Sequence, residues 1–450
     1  MKIVLTHGYF LSEDPKELEI MRPYPTLGLL YISSFLKEQK KDVTVLDSTF
    51  SSQEKWQNDI LEIQPKIIAF YTNLMTKIRV LELVQFIKKN LPDCSLIVGG
   101  PDVTYNTENY LRAGFDFAII GEGEQTMLEL TSALEQKGDI SEIEGIALLA
   151  GDKVITTPSR TKIKELQDIP FPDRDSIPFE KYLEVWGQHH GKRTANISTQ
   201  RGCPYTCKWC STAVYGQSYR RNPPNKVVEE ILELKNKFQV EALWFVDDVF
   251  TVSHKWISEL YDEFKKHNLK IDFECITRAE RLPDEVLMQL KEMGCFRIWI
   301  GAESGSQKII DKMDRRVSLE EVKDRILRTQ ELGMEAGTFI MVGYPGETKE
   351  DIRLTKEYLV ACRPNYLTIT KAYPIKGTSL YTEVENKLLL PSDWSKSTDR
   401  EIQIELPYSN RFYRHSIRYL MNSWKAERTN ALVPKLKAKL SYLLMNINAK

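Results

Sequence analysis

An excess of charge of either sign is missing from this chain: 450 residues carry 62 Lys and Arg against 63 Asp and Glu. No global field therefore draws it to nucleic acid or to a membrane, and any such partner must be met by a local patch. No apolar run is long enough to span a bilayer. The opening Met1-Lys2-Ile3 does not begin a secretory leader. Cysteine is sparse, seven in all, without a disulfide-like pattern. These absences together place the chain in a reducing cytoplasm, with no nucleic-acid partner expected. Histidine is also scarce, six residues, and only His7 precedes residue 189. What remains is ordinary globular composition, 42 % hydrophobic and 28 % charged, in a chain too long for one core, so two or three domains are expected.

Three of the cysteines are not scattered. Cys203, Cys207 and Cys210 lie in Gly202-Cys203-Pro204-Tyr205-Thr206-Cys207-Lys208-Trp209-Cys210, a CxxxCxxC spacing with no further cysteine near in sequence. Structural zinc and iron-sulfur sites are usually closed by four protein ligands, whereas three thiolates on a cubane leave one iron open to something that is not protein. A zinc knuckle completed by His189 or His190, and three cysteines that bind nothing, are the competing readings. Cys94, Cys275, Cys295 and Cys362 are dispersed in apolar segments and read as small buried hydrophobes.

The cysteine spacing, with Trp209 before the last thiol, resembles the radical S-adenosylmethionine (SAM) enzymes. The resemblance implies a 4Fe-4S cluster on the three cysteines. The open iron would chelate the amino and carboxylate groups of SAM, and one electron would cleave the sulfonium to a 5'-deoxyadenosyl radical. A flavodoxin or ferredoxin is the implied reductant.

Ahead of that loop, residues 1–142 alternate strand-like and helix-like segments. Strands are predicted over Lys2 to Thr6, Val43 to Asp47, Lys66 to Tyr71, Ser95 to Gly99 and Phe117 to Gly121. Helices are predicted over Gly28 to Gln39, Lys77 to Asn90 and Glu124 to Glu135. This is a Rossmann-like doubly wound α/β domain, in which ligands bind beyond the carboxyl ends of the strands. The loops there carry Thr26, Leu27 and Gly28, then Asp47, Gly99 and Gly100, and finally Gly121, Glu122 and Gly123. The set resembles the cobalamin-binding domain that precedes many radical SAM proteins, and those nine residues are its implied cobalamin contacts. One departure is clear: the Asp-x-His-x-x-Gly motif that ligates cobalt is absent, so the resemblance implies base-off cobalamin without a histidine ligand.

A hairpin around Gly151-Asp152 and the proline-rich Ile169-Pro170-Phe171-Pro172-Asp173-Arg174 make residues 143–193 read as a linker. From 194 to 380 six strands are predicted: Asn196 to Gln200, Ala242 to Asp247, Ile271 to Ile276, Phe296 to Gly301, Ala336 to Val342 and Tyr366 to Lys371. Amphipathic stretches such as Lys226 to Phe238 and Leu319 to Leu332 separate them. The resemblance implies a partial (β/α)6 radical SAM barrel, with chemistry at the carboxyl ends of the strands. Asp247 at the second strand end, Arg278 at the third, Glu303 and Ser304 in Gly-Ala-Glu-Ser-Gly at the fourth, and Gly343 at the fifth are, with Trp209, the implied SAM contacts. Glu347 and Thr348 read as starting the next helix.

Residues 381–450 form a helical basic region. From Arg411 on it holds nine Lys or Arg, Lys450 included, against Glu427. It reads as an amphipathic helical cover whose Leu432, Leu436, Leu440 and Leu443 pack on the barrel. The alternative is a surface that meets an anionic substrate or, peripherally, a membrane. The function so implied is a methyltransferase that functionalises an unactivated carbon of a small-molecule substrate by cobalamin-dependent methyl transfer. Its alternatives are an anaerobic oxidative cyclase of a tetrapyrrole, of the magnesium-protoporphyrin monomethyl ester type, and a non-catalytic metal-binding scaffold.

Overall fold

Strand β1 (Ile3–His7) is buried along its whole length, as a central strand covered on both faces must be. Its side chains alternate between two cores: Ile3 and Leu5 join Ile67, Ala69 and Ile97 on one face, and Val4 joins Ile68, Phe70 and Val98 on the other. A computed structural model gives this architecture and describes residues 1–391 and 393–449, so Lys450 lies outside the described residues.

The first sheet contains β2 (Val43–Leu46), β3 (Ile67–Tyr71), β4 (Ser95–Gly99), β5 (Phe117–Ile119), β6 (Ile146–Ala150) and β7 (Lys153–Thr156) beside β1. Its order is β2-β1-β3-β4-β5-β6-β7. The first five strands run parallel, with helices Leu27–Glu38, Lys77–Asn90 and Glu124–Gln136 among their connections. The order reverses between β1 and β3, the switch point at which such folds hold ligands.

Residues 143–193 are not the surface linker expected of them. β6 and β7 continue the first sheet antiparallel. Leu166, Ile169, Phe179, Tyr182, Leu183 and Trp186 are buried. The proline-rich run turns the chain, while the apolar residues around it fill core.

A second, six-stranded sheet has the order β15-β14-β13-β12-β11-β8, from β8 (Thr194–Ile197), β11 (Ala242–Phe245), β12 (Asp272–Thr277), β13 (Cys295–Glu303), β14 (Glu335–Val342) and β15 (Tyr366–Lys371). The registered pairs from β11 to β15 are all parallel. The short pair β9 (Gln200–Arg201) and β10 (Arg220–Arg221) lies outside it. Chain-order neighbours joined by helices are the pattern of the expected partial barrel. By compactness the chain forms two units: Met1–Pro204, Ser211–Glu241 and Leu390–Glu401 make the first, and Tyr205–Cys210, Ala242–Leu389 and the chain from Ile402 onward make the second.

Candidate functional site

In the first unit, Thr26 precedes helix Leu27–Glu38 as its N-cap residue without a side-chain capping bond. At Gly28 a Cβ would meet nothing within 4 Å. That open helix start can receive a ligand's backbone-directed contacts. Leu27 instead packs partly against Tyr31, Leu166 and Ile169. Gly100 is a packing glycine: its φ is +117°, and a Cβ would overlap the Thr72 carbonyl oxygen. Gly99 has ordinary contact with Ile119, Gly121 takes φ +90° in open surroundings, and Gly123 lies against the end of the Ile32 side chain.

Two expected cobalamin contacts are already engaged. Asp47 accepts from His7 Nε2 at 3.1 Å, from Tyr182 Oη at 2.7 Å and from Thr49 N at 2.9 Å. Burial alone would raise its carboxyl, but these bonds outweigh it and hold the group below the ordinary range. His7 meets Ser48 Oγ at 3.0 Å through Nδ1. Glu122 is buried and accepts from Arg201 Nη1 at 2.8 Å, Arg220 Nη1 at 2.7 Å and Ile163 N at 2.9 Å. Arg201 also pairs with Glu124 at 2.5 Å, and it lies 5.4 Å from the ring centres of both Tyr31 and Tyr215. This arginine-glutamate network was invisible in the sequence, although Arg201 directly precedes Gly202-Cys203 and its partners sit in the Gly-Glu-Gly-Glu run.

The cysteine loop begins in the first unit with buried Cys203 and continues in the second with half-buried Cys207 and exposed Cys210. In the second unit, Lys208 N donates to Met313 O at 3.1 Å, Leu380 N donates to Lys208 O at 2.8 Å, and Thr206 Oγ1 donates to Asp314 Oδ2 at 2.9 Å. Arg278 Nη1 donates to Cys207 Sγ at 3.3 Å. The same guanidinium bonds Glu280 and the Arg315 carbonyl and lies 4.0 Å over the Tyr205 ring. Arg281 donates to Tyr205 Oη at 2.6 Å. Arg278 is therefore a clamp on the cysteine loop, and the guanidinium expected to contact SAM is engaged by protein groups. Trp209 is half-buried in the loop.

Glu303 ends β13 in a left-handed conformation, φ +65°, where a register shift interrupts the ladder with β14. Non-glycine residues adopt that conformation only when the surroundings impose it. Among the described residues no hydrogen bond reaches its carboxyl. Burial pushes the group up to about 7 against the pull of Arg315 and Arg278. Ser304 is fully buried, bonded to Ser306 N and near Thr355 Oγ1, so its hydroxyl is engaged by protein groups rather than presented for the SAM contact expected of it. Gly343 N donates to Glu347 Oε2 at 2.6 Å. Among the described residues Glu347 Oε1 has no hydrogen-bond partner, and burial raises the carboxyl to about 8. The helix cap is Thr348 with Asp351, so Glu347 braces the Gly343 turn rather than capping. Asp247 is buried and Asp248 exposed in the turn that follows β11.

Residues 197–359 match the radical SAM superfamily, and residues 19–131 match the B12 binding domain. The chain therefore carries a B12-binding domain followed by a radical SAM domain. This radical SAM enzyme is 29 % identical over 384 residues to an uncharacterized methyltransferase of Pyrococcus horikoshii, covering 83 % of this chain and 82 % of that protein. It is 28 % identical to the anaerobic magnesium-protoporphyrin IX monomethyl ester cyclase of Rubrivivax gelatinosus, covering 86 % of this chain and 71 % of the other. Its fold is similar to that of the radical SAM methyltransferase TsrM of Kitasatospora setae, solved with cobalamin and a 4Fe-4S cluster, with a TM-score of 0.72 at 16 % identity over 86 % of this chain and 74 % of that one. The scaffold reading is thereby set aside, and the α/β fold class, a B12-binding domain before a radical SAM sheet and a helical carboxyl region, stands.

The radical SAM and B12-binding matches imply an iron-sulfur cluster, SAM and cobalamin. The donor chemistry fits the first: none of the seven cysteines is tied up in a disulfide, three lie in one nine-residue run, and a guanidinium meets one of their sulfurs. Among the described residues no three His, Cys, Asp or Glu groups stand at metal-holding spacing, so gathering the thiols falls to the loop that carries them. Open space at Gly28, at a helix start beside the sheet's switch point, fits the approach of a large planar cofactor.

Proposed function

We propose that this radical SAM enzyme transfers a methyl group through cobalamin to an unactivated carbon of a small-molecule substrate, with a flavodoxin or ferredoxin as reductant. The observation that carries the reading is the three-thiol loop clamped by Arg278 at Cys207 in a chain whose B12-binding match precedes its radical SAM match. Relatives named as methyltransferases support the reaction class. When bound, the cluster supplies the electron that cleaves SAM and the corrinoid carries the methyl group.

The chain's own residues then have distinct roles. Cys203, Cys207 and Cys210 hold the cluster, and Arg278 with Tyr205 fixes the loop and places positive charge at one sulfur. Glu303, strained and without a hydrogen-bond donor of its own, accepts a donor from SAM, a role its carboxyl performs best ionised. Glu347 keeps the Gly343 turn in shape. Gly28 leaves the corrinoid room, and His7, committed to Asp47, stays off the cobalt.

Oxidative ring formation on a tetrapyrrole is a second reading, favoured by the 28 % identity to the Rubrivivax gelatinosus cyclase. Anaerobic reconstitution with iron, sulfide and cobalamin, followed by reduction with methyl-labelled SAM, separates the two. Label must pass to the corrinoid and on to an acceptor. Cleavage of SAM to 5'-deoxyadenosine with no label on the corrinoid would remove methyl transfer and leave the cyclase reading.

A further inference from the structure

The helix Leu432–Ile447 turns its leucines the wrong way for a helix that covers a core. Its buried residues are Ala438, Ser441 and Met445, two of them small. Leu432, Val433, Leu436, Leu440, Leu443 and Ile447 are each 55 to 70 % exposed. At 3.6 residues per turn these six occupy one arc of about 100°. Lys437 lies about 40° beyond one edge of that arc, and Lys439 and Lys435 about 20° and 60° beyond the other. The helix contains no acidic residue.

Its inner face is held by helix Asn410–Thr429. Ser409 Oγ donates to Asn448 O at 3.0 Å, and the Tyr419 and Tyr442 rings are 5.2 Å apart, which makes the two helices an antiparallel pair. Packing is thereby satisfied on one side and the apolar stripe is left over. Expecting these leucines to seal the barrel is the error that the tertiary structure corrects.

We infer that this stripe lies on an anionic lipid surface, with the leucines in the acyl boundary and the three lysines at the headgroups. Charge selects the occupant. A second copy laid against the same face would bring lysine against lysine with no acid to pair them, whereas an anionic bilayer meets all three. The helix is about 24 Å long, and no helix among the described residues is long and apolar enough to cross a membrane. It therefore lies in the interface plane, apolar side down and basic flanks up. The inference stands apart from the methyl-transfer reading.

Sedimentation of the full chain with vesicles tests it. Vesicles of equal parts phosphatidylglycerol and phosphatidylcholine should carry the protein down, and salt should release it. L436S/L440S/L443S should keep the melting temperature, because these positions are exposed, and should weaken binding by about tenfold or more. K435Q/K437Q/K439Q should weaken it on the order of a hundredfold at low salt. Protein that stays in the supernatant with the anionic vesicles overturns the inference, as does binding that neither triple variant changes. A concentration-dependent dimer abolished by the leucine variant, without vesicle binding, assigns the stripe to a second copy instead.

Discussion

Arg278 Nη1 donates to Cys207 Sγ at 3.3 Å while its guanidinium lies 4.0 Å over the Tyr205 ring, so one buried cation holds a cysteine and an aromatic of the same loop. Arg278→Lys keeps the charge but loses the planar fork that serves Glu280, the Arg315 carbonyl and the sulfur together. It should cost about 2 kcal/mol in chemical denaturation and lower the iron retained after reconstitution. Cys203→Ala, Cys207→Ala and Cys210→Ala should each abolish the cluster, whereas Cys275→Ala and Cys362→Ala, at fully buried positions, should retain iron and sulfide. A Cys207→Ala protein with full iron that still cleaves SAM would refute the ligand assignment.

Glu303 should make stability depend on pH. Its carboxyl ionises near 4.5 in the unfolded chain and at about 7 when folded. Between those values the folded state binds the extra proton, so the contribution present below pH 4.5 is lost as pH rises through 7. Glu303→Gln removes this dependence and should stabilise the protein at pH 8 by about 3 kcal/mol. Glu347 titrates in the same direction, so the comparison is the difference between variant and parent denaturation curves across pH. The same variant should keep the cluster and weaken SAM binding by about 1.5 to 3 kcal/mol. Unchanged affinity would return Glu303 to a structural role.

The glycine loops separate packing from ligand access. Gly100→Val forces a Cβ into the Thr72 carbonyl and should destabilise the first unit whether or not cobalamin is added. Gly28→Val projects into open space and should abolish cobalamin binding while costing no more than about 1 kcal/mol of stability. The cobalt(II) protein should give a base-off paramagnetic resonance spectrum without histidine nitrogen splitting, since His7 is bonded to Asp47 and Ser48. Nitrogen splitting lost in His7→Ala would overturn that assignment.

Arg201 neutralises two buried glutamates, so Arg201→Met should cost about 3 to 5 kcal/mol by stranding their charge. Arg201→Met with Glu122→Gln and Glu124→Gln should recover part of that loss. Urea denaturation of the variants reads both, and additive losses would show that the three side chains do not act as one network.

The alternation of apolar runs with amphipathic stretches was enough to locate five helices and most strands to within a few residues, because side-chain periodicity is a local property of the chain. The cysteine run was legible for the same reason: ligand spacing is written in consecutive residues. Partners were not legible. Arg278 meets a sulfur 71 positions earlier and Arg201 a carboxylate 79 positions earlier, distances along the chain that only the strand order closes. Exposure was misread where packing offered two faces: a 3.6-residue period marks Leu432, Leu436, Leu440 and Leu443 as one stripe, but whether that stripe faces core or solvent depends on which side helix Asn410–Thr429 occupies. The sequence by itself determined the elements, the three-thiol motif and the balance of charge. Tertiary structure alone decided which carboxyls are paired, which glycine leaves room and which apolar face is left open, because each depends on neighbours remote in sequence.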